Sequence, residues 1–182
     1  MKWTIPGTVL KIQRDQADSV EEMFSSMFLA GGMMLSQVAS ITGLEPYTVQ
    51  NWVKRGFLSP PQNKRYTMQQ LCRILHINML KDVMPLERIC SLLGYINGKL
   101  DDEGDDIIDD ATLYFLFVRL AARSKELDDS DIWQQAMAEA LGDYQEPVPG
   151  ARERIEKALR IMLIGNIACK MARTAERMLD EL

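Results

Sequence analysis

Four polar side chains between Pro46 and Arg55 are spaced to share one side of a helix: Tyr47, Gln50, Asn51 and Lys54, at i, i+3, i+4 and i+7. A Gln or Asn amide can pair with adenine N6 and N7, while Lys and Tyr can reach a phosphate or a base edge. Lys64, Arg65 and Tyr66 follow a short turn and are suited to hold the backbone of an adjacent groove. Thr48 and Arg55 border the quartet and complete the candidate DNA-contacting set. The competing reading is a solvated helix face in a small helical domain. Capping signals, turn, polar face and basic turn together favour DNA.

Positioning these groups requires two short helices and a ribbon. Ser36 can cap the first helix, with Gly43 supplying the left-handed residue after its end. Pro46 suits the first position of the second helix, and Gly56 stops it. Val49, Trp52 and Val53 fall opposite the polar quartet, facing Val38, Ile41 and Leu44 of the first helix. Ser59-Pro-Pro-Gln-Asn-Lys-Arg-Tyr66 then predicts a small ribbon, the chain's one strand signal. The layout is a helix-turn-helix with a compact wing, whose second helix can enter a major groove.

The run Thr48-Val-Gln-Asn-Trp-Val-Lys-Arg-Gly-Phe-Leu-Ser-Pro60, then Lys64-Arg-Tyr66, then Pro85-Leu-Glu-Arg-Ile-Cys-Ser-Leu-Leu93, resembles the winged-helix domain of MerR-type transcription regulators. Met34 to Ile96 as a whole also resembles an uncharacterised bacterial domain-of-unknown-function family carrying the same motif. The resemblance implies double-stranded DNA as ligand and a homodimer as the working form. Where MerR-type reading helices usually carry Arg and an aromatic, this chain has Gln50 and Asn51, and its wing is shorter. MerR-type proteins dimerise through a C-terminal coiled coil; here Ala111 to Leu182 reads as a helical bundle without a sustained heptad run.

The net charge of −5 over 182 residues divides unevenly. From Met33 to Lys99, eight basic residues face three acidic ones, a net of +5, while Leu100 to Asp110 carries seven acids and no base. The predicted organisation is an N-terminal helical arm (1–32), a DNA-binding domain (33–99), an acidic linker (100–110) and a helical dimerisation or effector region (111–182). Ser19-Val-Glu-Glu22 and Thr67-Met-Gln-Gln70 are capping boxes that open helices. Pro85 opens another. The last carboxylates of the linker favour a helix start near Ala111, and Leu113 to Leu120 is apolar nearly all round, so that helix should be buried. Further helices are expected from Ser130 to Gly142 and from Ala151 to Leu182. The fold class is therefore all-α: a winged helix-turn-helix with a minimal wing, then a C-terminal helical bundle.

Other chemistries find little support. One histidine, His76, sits between Leu75 and Ile77, and no Ser/His/Asp set, phosphate loop or dinucleotide fingerprint is present. The spacing of Cys72, Cys90 and Cys169 suggests reduced core thiols rather than a metal site. The acidic run does not match an EF-hand. No catalytic residue, metal or cofactor is expected. Tyr114, Phe115, Phe117 and Trp133 read as core rather than as a pocket for a small-molecule effector, whose identity the sequence leaves open. With no signal-peptide-like start and no apolar run that could span a bilayer, the expected location is the cytoplasm, away from membranes. The function expected is DNA-binding transcription regulation. The alternative is a protein-interaction adaptor that keeps the fold without sequence-specific DNA binding.

Overall fold

The computed structural model describes residues 2–98, 100, 106–123 and 130–182, with the side chains of Ser130 and Asp131 excepted. The described chain is mostly helical. A hairpin of β1 (Lys2–Thr4) and β2 (Lys11–Gln13) leads through a 3-10 segment (Arg14–Ser19) into α1 (Val20–Met27). Then come β3 (Met33–Met34), α2 (Leu35–Thr42), α3 (Pro46–Lys54), β4 (Arg65–Tyr66), α4 (Met68–Leu80), α5 (Leu86–Asn97), α6 (Asp110–Ala122), α7 (Ser130–Leu141) and α8 (Ala151–Asp180). Both sheets are antiparallel pairs: β1 with β2, Trp3 opposite Ile12, and β3 with β4, Met33 opposite Tyr66. The first pair was not expected from the sequence, because three-residue strands are too short to display alternation.

Helix starts follow local chemistry, with two corrections. Thr67 and Gln70 form the expected reciprocal cap: the Thr67 hydroxyl accepts from the Gln70 N–H at 3.2 Å, and the Gln70 amide accepts from the Thr67 N–H at 2.9 Å. Ser36, expected as a cap, instead lies inside α2. The Gln37 side chain reaches back to accept from the Met34 N–H at 2.8 Å. Ser19 precedes α1 but makes no side-chain cap bond, because it continues the 3-10 segment with helical dihedrals.

The centre of the molecule is α4, whose residues Gln70–Leu80 are all buried. Sequence periodicity marked only one side of it as apolar; α2, α5, α6 and α8 cover the remainder. Gln70, Arg73 and Asn78 are met by neighbours, whereas neither ring nitrogen of His76 has a hydrogen-bond partner. Asn78 donates to the Gly7 carbonyl at 2.8 Å and to the Thr42 carbonyl at 2.9 Å, tying the N-terminal hairpin and the end of α2 to one amide. Gly7 is also pressed against this helix: a Cβ there would lie 2.4 Å from the Leu75 carbonyl oxygen. Arg73 donates to the Phe57 carbonyl and pairs with Asp110 at 3.3 Å, both side chains nearly buried. At the far side α8 comes close over α4 at Gly165, where a Cβ would meet Leu80 Cδ2 at 2.6 Å.

One contiguous apolar core runs from Trp3 to Leu163 and includes residues of all four sequence segments. Of the acidic linker, 101–105 lie outside the described residues. Ile107 and Ile108 are buried, and Asp109 caps α6, accepting from the N–H groups of Ala111 and Thr112 at 3.1 and 2.9 Å. Gln69 of α4 donates to the same carboxylate at 2.8 Å. Tyr114, Phe115, Phe117 and Trp133 are buried, as core packing requires, and Tyr114 donates its hydroxyl to the Pro6 carbonyl at 2.7 Å. His76 is buried edge-on against Tyr114, with Nδ1 3.6 Å from Asp110. Among the described residues no helix is long and apolar enough to cross a membrane, and no group of three or more His, Cys, Asp or Glu could hold a metal ion.

Two measurements test these connections. Asn78→Ala leaves the buried Thr42 carbonyl and the half-buried Gly7 carbonyl without this partner and should cost about 2–4 kcal/mol in urea unfolding; a loss under about 1 kcal/mol would contradict its tying role. Burial alone would raise the Asp109 carboxyl, but hydrogen bonds from Thr112, Gln69 and Ala111 hold it below the ordinary carboxylate range. Its contribution to stability is therefore full above about pH 3.9 and is lost as pH falls through the lower folded value. Asp109→Asn should remove part of the acid limb in urea midpoints measured against pH.

Candidate nucleic-acid interface

The two-helix unit is held from beneath. Val38 and Val49 are fully buried, and Trp52 is 3% exposed. Gly43 adopts a φ of 71° and donates its N–H to the Ala39 carbonyl at 2.8 Å, closing α2 so that the chain can turn. Pro46 occupies the first turn of α3, as expected. Burying Val49 and Trp52 turns Tyr47, Gln50 and Lys54 outward: all three are exposed, Tyr47 by 75%. Asn51 and Thr48 are half-buried at the border of this face. The face the sequence assigned to a ligand is thus open, with the amide of Asn51 at its edge.

The basic turn has more structure than the sequence suggested. Gln62 and Arg65 exchange both backbone hydrogen bonds, at 3.0 and 2.8 Å, around a two-residue loop of Asn63 and Lys64. Both loop residues have positive φ, 49° and 63°, the signature of a type I′ hairpin turn. Asn suits the first of these positions; the second favours Gly, yet carries Lys64. Holding an L side chain there costs about 1–2 kcal/mol. Beyond the turn, β4 pairs with β3, so the ribbon draws its partner strand from Met33 and Met34, upstream of α2, which the sequence reading missed.

Strand alternation corrects one candidate. Arg65 faces outward and Tyr66 inward, with Tyr66 only 2% exposed. Its ring belongs to the core and not to a phosphate grip, and burial raises the pKa of its phenol. Arg65 is exposed and donates from Nη1 to the Gly32 carbonyl at 2.9 Å, which holds one edge of its guanidinium. Arg55 is directed away from the quartet: it pairs with Glu87 of α5 at 2.8 Å and lies 4.6 Å over the Phe57 ring.

These pairings redistribute the +5 of the segment. Arg73 is spent inside the core on Asp110, Lys81 bonds Asp82 at 2.9 Å, and Arg55 holds Glu87. Lys54, Lys64 and Arg65 are the exposed cations on α3 and the turn, and they have no ion-pair partner among the described residues. The arrangement presents an aromatic, two amides and three cations on α3 and the neighbouring turn.

A family model described as Domain of unknown function (DUF1836) matches residues 18–117, more than half of the chain, from the 3-10 segment to within α6. The chain is 29% identical over 84 residues to the uncharacterized protein YkrK of Bacillus subtilis (strain 168), a match covering 44% of this chain and 36% of that protein. The chain thus matches little more than a third of that relative's length. No solved structure matches.

The strain at Lys64 is directly testable. Lys64→Gly should leave the fold as stable or raise its unfolding free energy by about 0.5–1 kcal/mol. A clear loss of stability would mean that the lysine side chain supports the turn through contacts of its own.

Proposed function

The chain belongs to the DUF1836 family, and we propose that it is a DNA-binding transcription regulator that reads double-stranded DNA through a MerR-like winged helix-turn-helix. In this reading α3 is the reading helix and the Asn63–Lys64 hairpin is a minimal wing. Gln50 and Asn51 address base edges, flanked by Tyr47, Thr48 and Lys54. Lys64 and Arg65 take phosphates, and Arg55 joins them only by exchanging Glu87 for a phosphate oxygen. Tyr66 supports the wing from inside. The regulator acts as a homodimer in the cytoplasm, so that two reading helices address two half-sites.

The observation that carries the reading is the strained, solvent-facing Lys64 beside an open Tyr47–Gln50–Lys54 face. A helix face needed only for solubility would not require a cation at a turn position that favours glycine. The adaptor alternative draws on a different observation: Tyr47 is 75% exposed, a large aromatic suited to a protein partner, and Arg55 is already held by Glu87.

Selection from random duplexes, followed by a salt titration, separates the two. A DNA reader enriches a two-part site, and its affinity falls steeply with salt. Asn51→Ala should relax preference at one base pair by about 1–3 kcal/mol. Lys64→Gly should weaken every site and lower the salt slope by about one unit. No binding to any duplex at low salt would discard the DNA reading in favour of the adaptor.

A further inference from the structure

Two buried N–H donors in the wall of one cleft find no acceptor in the protein: the indole Nε1 of Trp3, on β1, and the amide Nδ2 of Asn166, on α8. Trp3 is 5% exposed and Asn166 4%. Native interiors retain few unpaired donors, and each one asks for a partner. Both residues line a cleft of about 600 Å³ between the N-terminal hairpin and α8, the size of a pocket for a small molecule. Its inner wall is apolar, with Ile5, Pro6 and Met79 all buried. Its rim is charged. Asn166, Lys170, Arg173 and Arg177 recur at i, i+4, i+7 and i+11, which sets them on one face of α8, and Lys2 joins them from β1. Asp82 holds Arg173 at 2.7 Å, and Arg177 bonds the Arg173 carbonyl and the Thr174 hydroxyl. Lys170 has no ion-pair partner among the described residues, although Glu176 and Asp180 also line the cleft. Its ammonium sits 5.8 Å from the centre of the Trp3 ring. Burial, and then the like charge of Arg14, hold the Lys170 pKa below the ordinary lysine value.

We propose that this cleft binds a small organic oxyanion, a carboxylate or phosphate head carried on an apolar body. The head accepts from Lys170 Nζ, Trp3 Nε1 and Asn166 Nδ2, and the body rests on Ile5, Pro6 and Met79. The unmet groups decide the sign of the ligand. All three are donors, so a cation or a purely apolar molecule would leave each of them as it is. One oxyanion has lone pairs enough for all three, and its bond to the ammonium is charge-assisted. The spacing allows it. Residues four apart on a helix have Cβ atoms about 5–6 Å apart, and hydrogen bonds of about 2.8 Å on either side of one head group span that separation. The anion also supplies the counter-charge that Lys170 lacks beside Arg14. No residue of α3 or of the Asn63–Lys64 turn lines the cleft, so the site requires nothing from the DNA reading.

Proton–nitrogen correlation spectra of the isotope-labelled full chain test the cleft. The indole N–H groups of the three tryptophans are separate reporters, and Trp3→Phe identifies the one in the cleft. The probes are benzoate and phenyl phosphate, with benzyl alcohol as their neutral counterpart. The expected result is a downfield shift of the Trp3 indole proton that saturates at millimolar concentrations of benzoate, phenyl phosphate or both. The Asn166 side-chain amide should move with it, and benzyl alcohol should move neither. Lys170→Gln should weaken binding about tenfold without altering the fold, because that side chain reaches solvent. Lys64→Gly should leave binding unchanged, so failure of this site and failure of the DNA reading are separate results. Saturation by one acid alone identifies the head group and supports the site. No shift with either acid, an equal shift with benzyl alcohol, or a shift indifferent to Lys170→Gln overturns it. A Trp3 shift produced by duplex DNA and by neither acid also overturns it, and would make the cleft a grip on the DNA backbone.

Discussion

A helix buried on every side places its polar groups beyond the reach of water. On α4 the bonds that Gln70, Arg73 and Asn78 make locate the neighbouring elements, while both ring nitrogens of His76 stay unbonded. From Gln70 to Leu80 it offers solvent no face. The Asn78 amide therefore binds two carbonyls from elements far apart in sequence, and the Arg73 guanidinium binds a carboxylate from α6 and a carbonyl from the segment after α3. Each of these bonds prescribes where a neighbouring element ends. The N-terminal hairpin, the end of α2, the start of α6 and the close approach of α8 at Gly165 are all located by what α4 requires.

Such a centre contributes more to uniqueness than to raw stability. A buried Arg–carboxylate pair gains little over a well-packed apolar substitute, because desolvation offsets most of its attraction. Breaking it leaves a bare charge in the interior, so alternative arrangements of α4 and α6 are strongly disfavoured. The Asp109 cap and the Gln69 amide beside it reinforce the same junction. The end of the acidic run is thereby joined to Gln69 and Arg73 of α4.

Two surfaces are left open. On one side, burial of Val49 and Trp52 against α2 leaves the polar face of α3 free, and the hairpin turn extends a cation at some cost in backbone strain. On the other, α8 rests its inner face on α4 and α5 and turns Ile161, Ile164, Met171 and Met178 outward.

The sequence by itself determined the elements that rest on local chemistry: the Thr67–Gln70 cap, the Gly43 turn, Pro46 in the first turn of α3, and the outward set Tyr47, Gln50 and Lys54. Each depends on residues within one or two turns of one another, so the pattern is complete in the linear text. Tertiary structure alone decided the rest. It buried Tyr66, drew Arg55 to Glu87, consumed Arg73 in the core, supplied the ribbon's partner strand from Met33 and Met34, and covered every side of α4. It also separated the apolar residues of α8 into an inner and an outer face, which in sequence merge into one dense run. Burial and ion pairing depend on which surfaces meet across long sequence separations, and no local spacing encodes that.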